Sequence, residues 1–263
     1  MIAIFSRPLS SSLNQLVGLM ILGGGLLYAY SFYDLYQHGA LGSLWRRGLI
    51  RGYHIFLFVA GLVALAIALL SPLDGKADSR FSAHMVQHVL LAMVAPALLF
   101  LGTPSPVARA ALIRPRLRAV VDRLTDPLIG FTAFFLSLYV WHVPAVYELA
   151  LHNEFVHALQ HASFFYAGLL FWWRIIDPTH GWFSFWDWPP AKWVYLLVAA
   201  PASYVLGTFL WGSSQILYPY YSGSGALADQ RLGGSIIWIQ GWMFLMISML
   251  IFFRAYHPEQ EPA

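Results

Sequence analysis

Cysteine is missing from all 263 residues, which excludes disulfides, thiolate metal sites and a cysteine nucleophile while leaving the redox compartment open. Charge is nearly as scarce. Asp, Glu, Lys and Arg make up 10% of the chain, against about 25% in an average soluble domain. With 59% hydrophobic and 17% aromatic residues, a water-soluble fold could not cover its own surface. Intrinsic disorder is excluded too, because it needs low hydrophobicity and high net charge. The net charge of +3 is small and its basic residues are scattered, so nucleic acid is not an expected partner. What remains is a polytopic membrane protein.

A helix needs roughly 20 mostly apolar residues to cross the hydrocarbon core. Seven stretches qualify: Leu13–Tyr33, Tyr53–Leu70, Ala83–Leu101, Pro127–Leu151, Val156–Ile176, Ala191–Trp211 and Gly233–Phe253. The first is too long, and too poor in preceding basic residues, to be a signal peptide. Gly23-Gly24-Gly25, Pro96, Pro144 and Pro201 fall inside spans, where neighbouring helices can re-satisfy the freed backbone groups. No internal repeat, low-complexity tract or long linker divides the chain. The expectation is an all-α bundle of seven transmembrane helices forming a single domain over residues 1–263.

Lysine and arginine in the loops set the orientation. Arg46, Arg47, Arg51, Arg109, Arg114, Arg116, Arg118, Arg123, Arg174, Lys192 and Arg254 lie on one side, and Arg7, Lys76, Arg80 and Arg231 on the other. Eleven against four predicts a cytoplasmic C-terminus and an external N-terminus. The third loop mixes its arginines with Leu112, Ile113, Leu117, Val120 and Val121, a pattern suited to lying on anionic lipid.

That topology sorts the ten histidines. His38, His54, His180 and His257 fall at or near cytoplasmic ends; His84, His88, His142, His152, His157 and His161 fall at or near the external face. His84/His88 and His157/His161 are each spaced i, i+4, so each pair presents two imidazoles on one helix face. At a rise of about 1.5 Å per residue, His88 and His161 lie roughly 7 Å, and His142 ~12 Å, below the outer boundary. Three helices can thus bring five imidazoles to one level. Intramembrane ionisable residues usually face the bundle interior and mark function. His84, His88, His142, His157 and His161 are therefore candidate metal ligands, whereas His152 belongs to a short solvated loop. Imidazoles without thiolates suit copper, zinc or an iron cofactor such as haem over calcium or magnesium.

A second layer is drawn from Met85, Asp74 and Asp229. Met85 precedes His88 by three residues and offers a soft thioether. Asp74 and Asp229 sit just outside spans on the histidine side, where a carboxylate can orient an imidazole or attract a cation. Glu148 reads as a solvated charge, and the Met243/Met246/Met249 run as packing.

Ser71-Pro72-Leu73-Asp74, the run from Phe81 to His88, Ala95-Pro96 and Leu101-Gly102-Thr103-Pro104 resemble the signature of the CtaG-type, caa-type cytochrome c oxidase assembly factors. Trp141-His142-Val143-Pro144, the His157/His161 pair, Phe171-Trp172-Trp173, Asp229-Gln230, Leu232-Gly233-Gly234 and Trp238 continue the likeness in the same order. It spans residues 70 to 240. Ile237 stands where the family often has methionine, which removes a thioether from that point.

The resemblance implies a multi-pass protein of the bacterial inner membrane that is needed for active haem-copper oxidase and acts in forming its copper centre. The implied partners are an oxidase subunit and a periplasmic copper chaperone, and the implied activity is assembly rather than catalysis. The histidine ligands come from the spacing, not from the family. Two rivals remain open: a seven-span zinc-dependent membrane hydrolase, in which three histidines, a carboxylate and an open position activate water, and a haem protein with axial histidines.

Overall fold

The structure, a computed structural model, describes residues 11–180 and 189–256, and among these every regular element is helical, without strands. The helices run α1 Ser11–Gln37, α2 Leu41–Arg46, α3 Gly52–Leu70, α4 Pro72–Ala77, α5 Phe81–Val89, a π-helical turn Leu90–Val94, α6 Ala95–Leu101, α7 Ser105–Ala111, α8 Pro115–Leu124, α9 Pro127–Trp141, α10 Pro144–His152, α11 Glu154–Ile176, α12 Pro189–Gly212 and α13 Ala226–Tyr256. Arg7 and His257, used above for topology, lie outside the described residues.

Five helical stretches are long and apolar enough to cross a membrane: Gln15–Gln37, Gly52–Leu70, Phe81–Leu101, Pro190–Gly212 and Ala226–Phe253. A sixth exists if α8 and α9, bent by 54° at their junction, are taken as one span. The protein is thus a multi-pass membrane protein, with five or six such spans among the described residues where the sequence suggests seven. The differences have physical causes. α11 has the length, at 23 residues, but His157, Gln160, His161 and Arg174 dilute its hydropathy. The expected continuous span Pro127–Leu151 is broken: α9 ends at Trp141, and α10 restarts at Pro144. Proline lacks the N–H and fits only the first turn of a helix. His142 is therefore the C-terminal cap of α9 at a turn, not a residue ~12 Å inside a helix.

The segment α5–α6 runs through the centre of the bundle, packed on α3, α4, α11 and α13, while α12 lies along α13. Its π turn has a local cause. The Pro96 ring would collide with the carbonyl of Ala92 in a regular helix, and widening the turn removes that clash. α11 comes closest here at Gly168, where any Cβ would meet the Ala92 carbonyl oxygen. Phe134, Phe171, Trp172 and Phe244 pack ring against ring within the apolar core. Within lipid, such helix association rests on close packing rather than on the hydrophobic effect.

Candidate metal centre

Three helix ends meet at one level of the bundle. His84 is the fourth residue of α5, His157 the fourth of α11, and His142 caps α9. The first turn of a helix leaves N–H groups without internal partners, and each start is anchored. Asn153 Oδ1 accepts from the Phe155 and Val156 amides at 3.0 and 3.1 Å. Asp229, arriving from α13, accepts from the Ser82 amide at 3.2 Å and from the Ser82 hydroxyl. In the middle of α5, the Gln87 amide donates to the Ala68 carbonyl at 2.7 Å and to Asp74 Oδ1 at 2.9 Å, tying α5 to α3 and α4.

The hydrogen bonds of Asp74 and Asp229 thus go to Gln87 and Ser82. Neither of these bonds is to an imidazole ring. Both hold the backbone and side chains of the helix that carries His84 and His88. Burial pushes the Asp74 carboxyl up, and the bond from Gln87 opposes that rise. Glu148 accepts from the Tyr220 amide at 3.1 Å. His152, expected in a loop, is instead the last residue of α10, and it is solvent-exposed.

The i, i+4 pairs converge. Among the described residues, His84, His88 and His161 place one nitrogen each within 4.8 Å of one another, and all three residues are buried. Such spacing suits a single ion bound at about 2.0–2.1 Å by each nitrogen. His157 adjoins this group, with its Nε2 3.4 Å from His84 Nε2. His142 lies on the far side of His88, with ring centroids 5.9 Å apart. The five expected imidazoles are contiguous, and three of them form the tight group.

Hydrogen bonds decide which nitrogens are free. Both ring nitrogens of His88 and the Nε2 of His161 are buried without a hydrogen-bond partner. An unsatisfied buried polar atom costs about 1–3 kcal/mol, and a bound cation would remove that cost. The His84 ring is oriented instead by two tyrosines missed in the sequence. Tyr221 and Tyr147 hold their hydroxyls 2.8 and 2.9 Å from His84 Nδ1. Burial pushes the Tyr221 phenol up, so it stays neutral, and its single proton is donated to the Ala77 carbonyl at 2.9 Å. Toward His84 the Tyr221 oxygen can only accept. Nδ1 thus carries the ring proton, and the Nε2 lone pair faces the histidine cluster. A metal-ligating histidine commonly donates its second nitrogen to an acceptor in this way. The one sequence signal for Tyr221 was the Tyr218-Pro219-Tyr220-Tyr221 run ahead of the last helix.

Residues 26–257 match the cytochrome c oxidase caa3 assembly factor family, Caa3_CtaG. The chain belongs to that family. Its membership covers the whole site, from α5 to the Tyr221 connection and α13. Relatives include uncharacterized proteins of Mycobacterium bovis and Mycobacterium tuberculosis, each 26% identical over 235 residues, covering 80% of this chain and 34% of the relative. An uncharacterized protein of Mycobacterium leprae is 24% identical over 253 residues, covering 86% of this chain and 36% of the relative. The chain thus spans about a third of the length of these relatives. No solved structure matches it.

Proposed function

We propose that the protein holds a copper ion among the histidines of α5, α9 and α11 and passes it to an assembling haem-copper oxidase subunit. The observation that carries this reading is the buried His84–His88–His161 group with its orphaned nitrogens, found in a chain of an oxidase assembly family. Copper is cargo here. Half-buried His157 receives the ion, and the buried His84, His88, His142 and His161 hold it. Transfer is ligand exchange and needs no catalytic turnover. Neutral imidazole is the binding form, so protons compete with the metal and affinity falls once the medium is acid enough to protonate the rings.

We place the protein in the bacterial plasma membrane as seven crossings, with α9 and α10 together forming the fourth and α11 the fifth. The N-terminus is then external and the C-terminus cytoplasmic. This sets the histidines toward the periplasm, within reach of a copper chaperone.

The test is to delete the gene, isolate the oxidase and measure haem and copper per complex. A copper deficit with normal haem is expected. Normal copper overturns the reading. Metal analysis of protein purified without added metal separates the rivals: zinc with lipid cleavage indicates a hydrolase, and a Soret band indicates haem.

A further inference from the structure

One contact beside the histidine group has no ordinary explanation as a hydrogen bond. His142 Nδ1 lies 2.6 Å from the Leu138 carbonyl oxygen, which can only accept, so Nδ1 carries a proton. His142 Nε2 lies 3.3 Å from Met85 Sδ, and a thioether has no proton to give. In a neutral ring, two lone-pair donors therefore face each other with nothing between them, and both residues are buried. A charged ring would instead be a buried cation without a counter-ion, which is costly. The nearby carboxylates are engaged elsewhere, Asp74 with Gln87 and Asp229 with Ser82.

We infer that Met85 Sδ and His142 Nε2, with His88 beside them, form a second, softer subsite selective for a monovalent soft cation, Cu(I) or its analogue Ag(I). This deepens the copper reading and rests on it. Thioether sulfur favours Cu(I), whereas imidazole alone accepts Cu(II) and Zn(II) as readily. Met85 and His88 stand three residues apart on α5, so their side chains share a face. The His88 ring adjoins His84 and His161 on one side, at centroid distances of 4.4 and 5.8 Å, and His142 on the other, at 5.9 Å. His88 is thus common to both subsites, and an ion can pass from imidazole-only ligation to mixed nitrogen–sulfur ligation by exchanging one ligand at a time. Gly233 of α13 leaves room for Met85, since any Cβ there would press on the Phe81 ring and Met85 Cγ.

The experiment uses the full chain in detergent, loaded anaerobically with Cu(I) under reductant and, separately, with Zn(II). X-ray absorption of the Cu(I)-loaded parent should show one sulfur neighbour. Because the chain has no cysteine, that sulfur is a methionine. Met85→Leu, which keeps the volume and removes the donor, should delete the sulfur and lower Cu(I) and Ag(I) affinity about tenfold or more while leaving Zn(II) affinity unchanged. Copper bound through nitrogen alone in the parent overturns the soft subsite and leaves the copper reading standing. A parent that binds no copper overturns both. The parent spectrum decides the matter even if the variant does not fold.

Discussion

Tyr221 reaches across 137 residues of sequence to place its hydroxyl 2.8 Å from His84 Nδ1, with its own proton committed to the Ala77 carbonyl. A residue of the α12–α13 connection thereby selects the tautomer of a histidine on α5. It leaves the His84 Nε2 lone pair directed at the cluster.

Removing that acceptor tests its role. Tyr221→Phe should leave the protein in the membrane and weaken metal binding about 10–100-fold, the usual effect of losing a partner behind a ligand. Titration with Zn(II) and Cu(I) measures it. Parent-like affinity would mean the tyrosine only packs.

The histidines divide by position. His88→Ala and His161→Ala each remove a buried candidate ligand and should abolish copper retention through purification. His152→Ala removes an exposed ring and should retain copper like the parent. Equal tolerance of all three changes would show the cluster to be packing.

Asp78 reports through pH. Burial first, and then the charge of Asp74, push its carboxyl from an ordinary 3.8 up to about 6. A raised folded-state value means that the folded protein holds the proton more tightly. Its stabilising contribution is present below pH 3.8 and is lost as pH rises through about 6. Asp78→Asn should therefore melt with the parent near pH 4 and above it at pH 7.5. A thermal series in detergent reads the difference. A parent that melts higher than the variant at pH 7.5 would refute the assignment.

Topology follows from a pair of fusions. A reporter active only outside the cytoplasm should be silent when fused after Ala263 and active when inserted at Asn153, in the α10–α11 junction. The reverse pattern would move the histidines to the cytoplasm and remove the periplasmic copper reading.

The membrane class, the helical spans and the two histidine pairs were legible in the sequence because each depends on near-neighbour spacing. Long apolar runs mark α1, α3, α12 and α13, and i, i+4 imidazoles share a face on α5 and α11 whatever surrounds them. The break at His142–Val143 was legible only in part: Pro144 is visible, but sequence alone allows it inside a span as well as at the start of α10. Met85 and Asp229 were legible as candidates for the site, but the side chains they meet were not. Tyr221 on His84, Asp229 on Ser82 and Met85 on His142 join residues 137, 147 and 57 positions apart. Composition and period settled that the chain is built of long apolar helices and which side chains share a helix face, since those follow from residue type and from backbone geometry over one or two turns. Tertiary structure alone decided which nitrogens keep a free lone pair, because a ring's tautomer is set by acceptors that other helices bring to it.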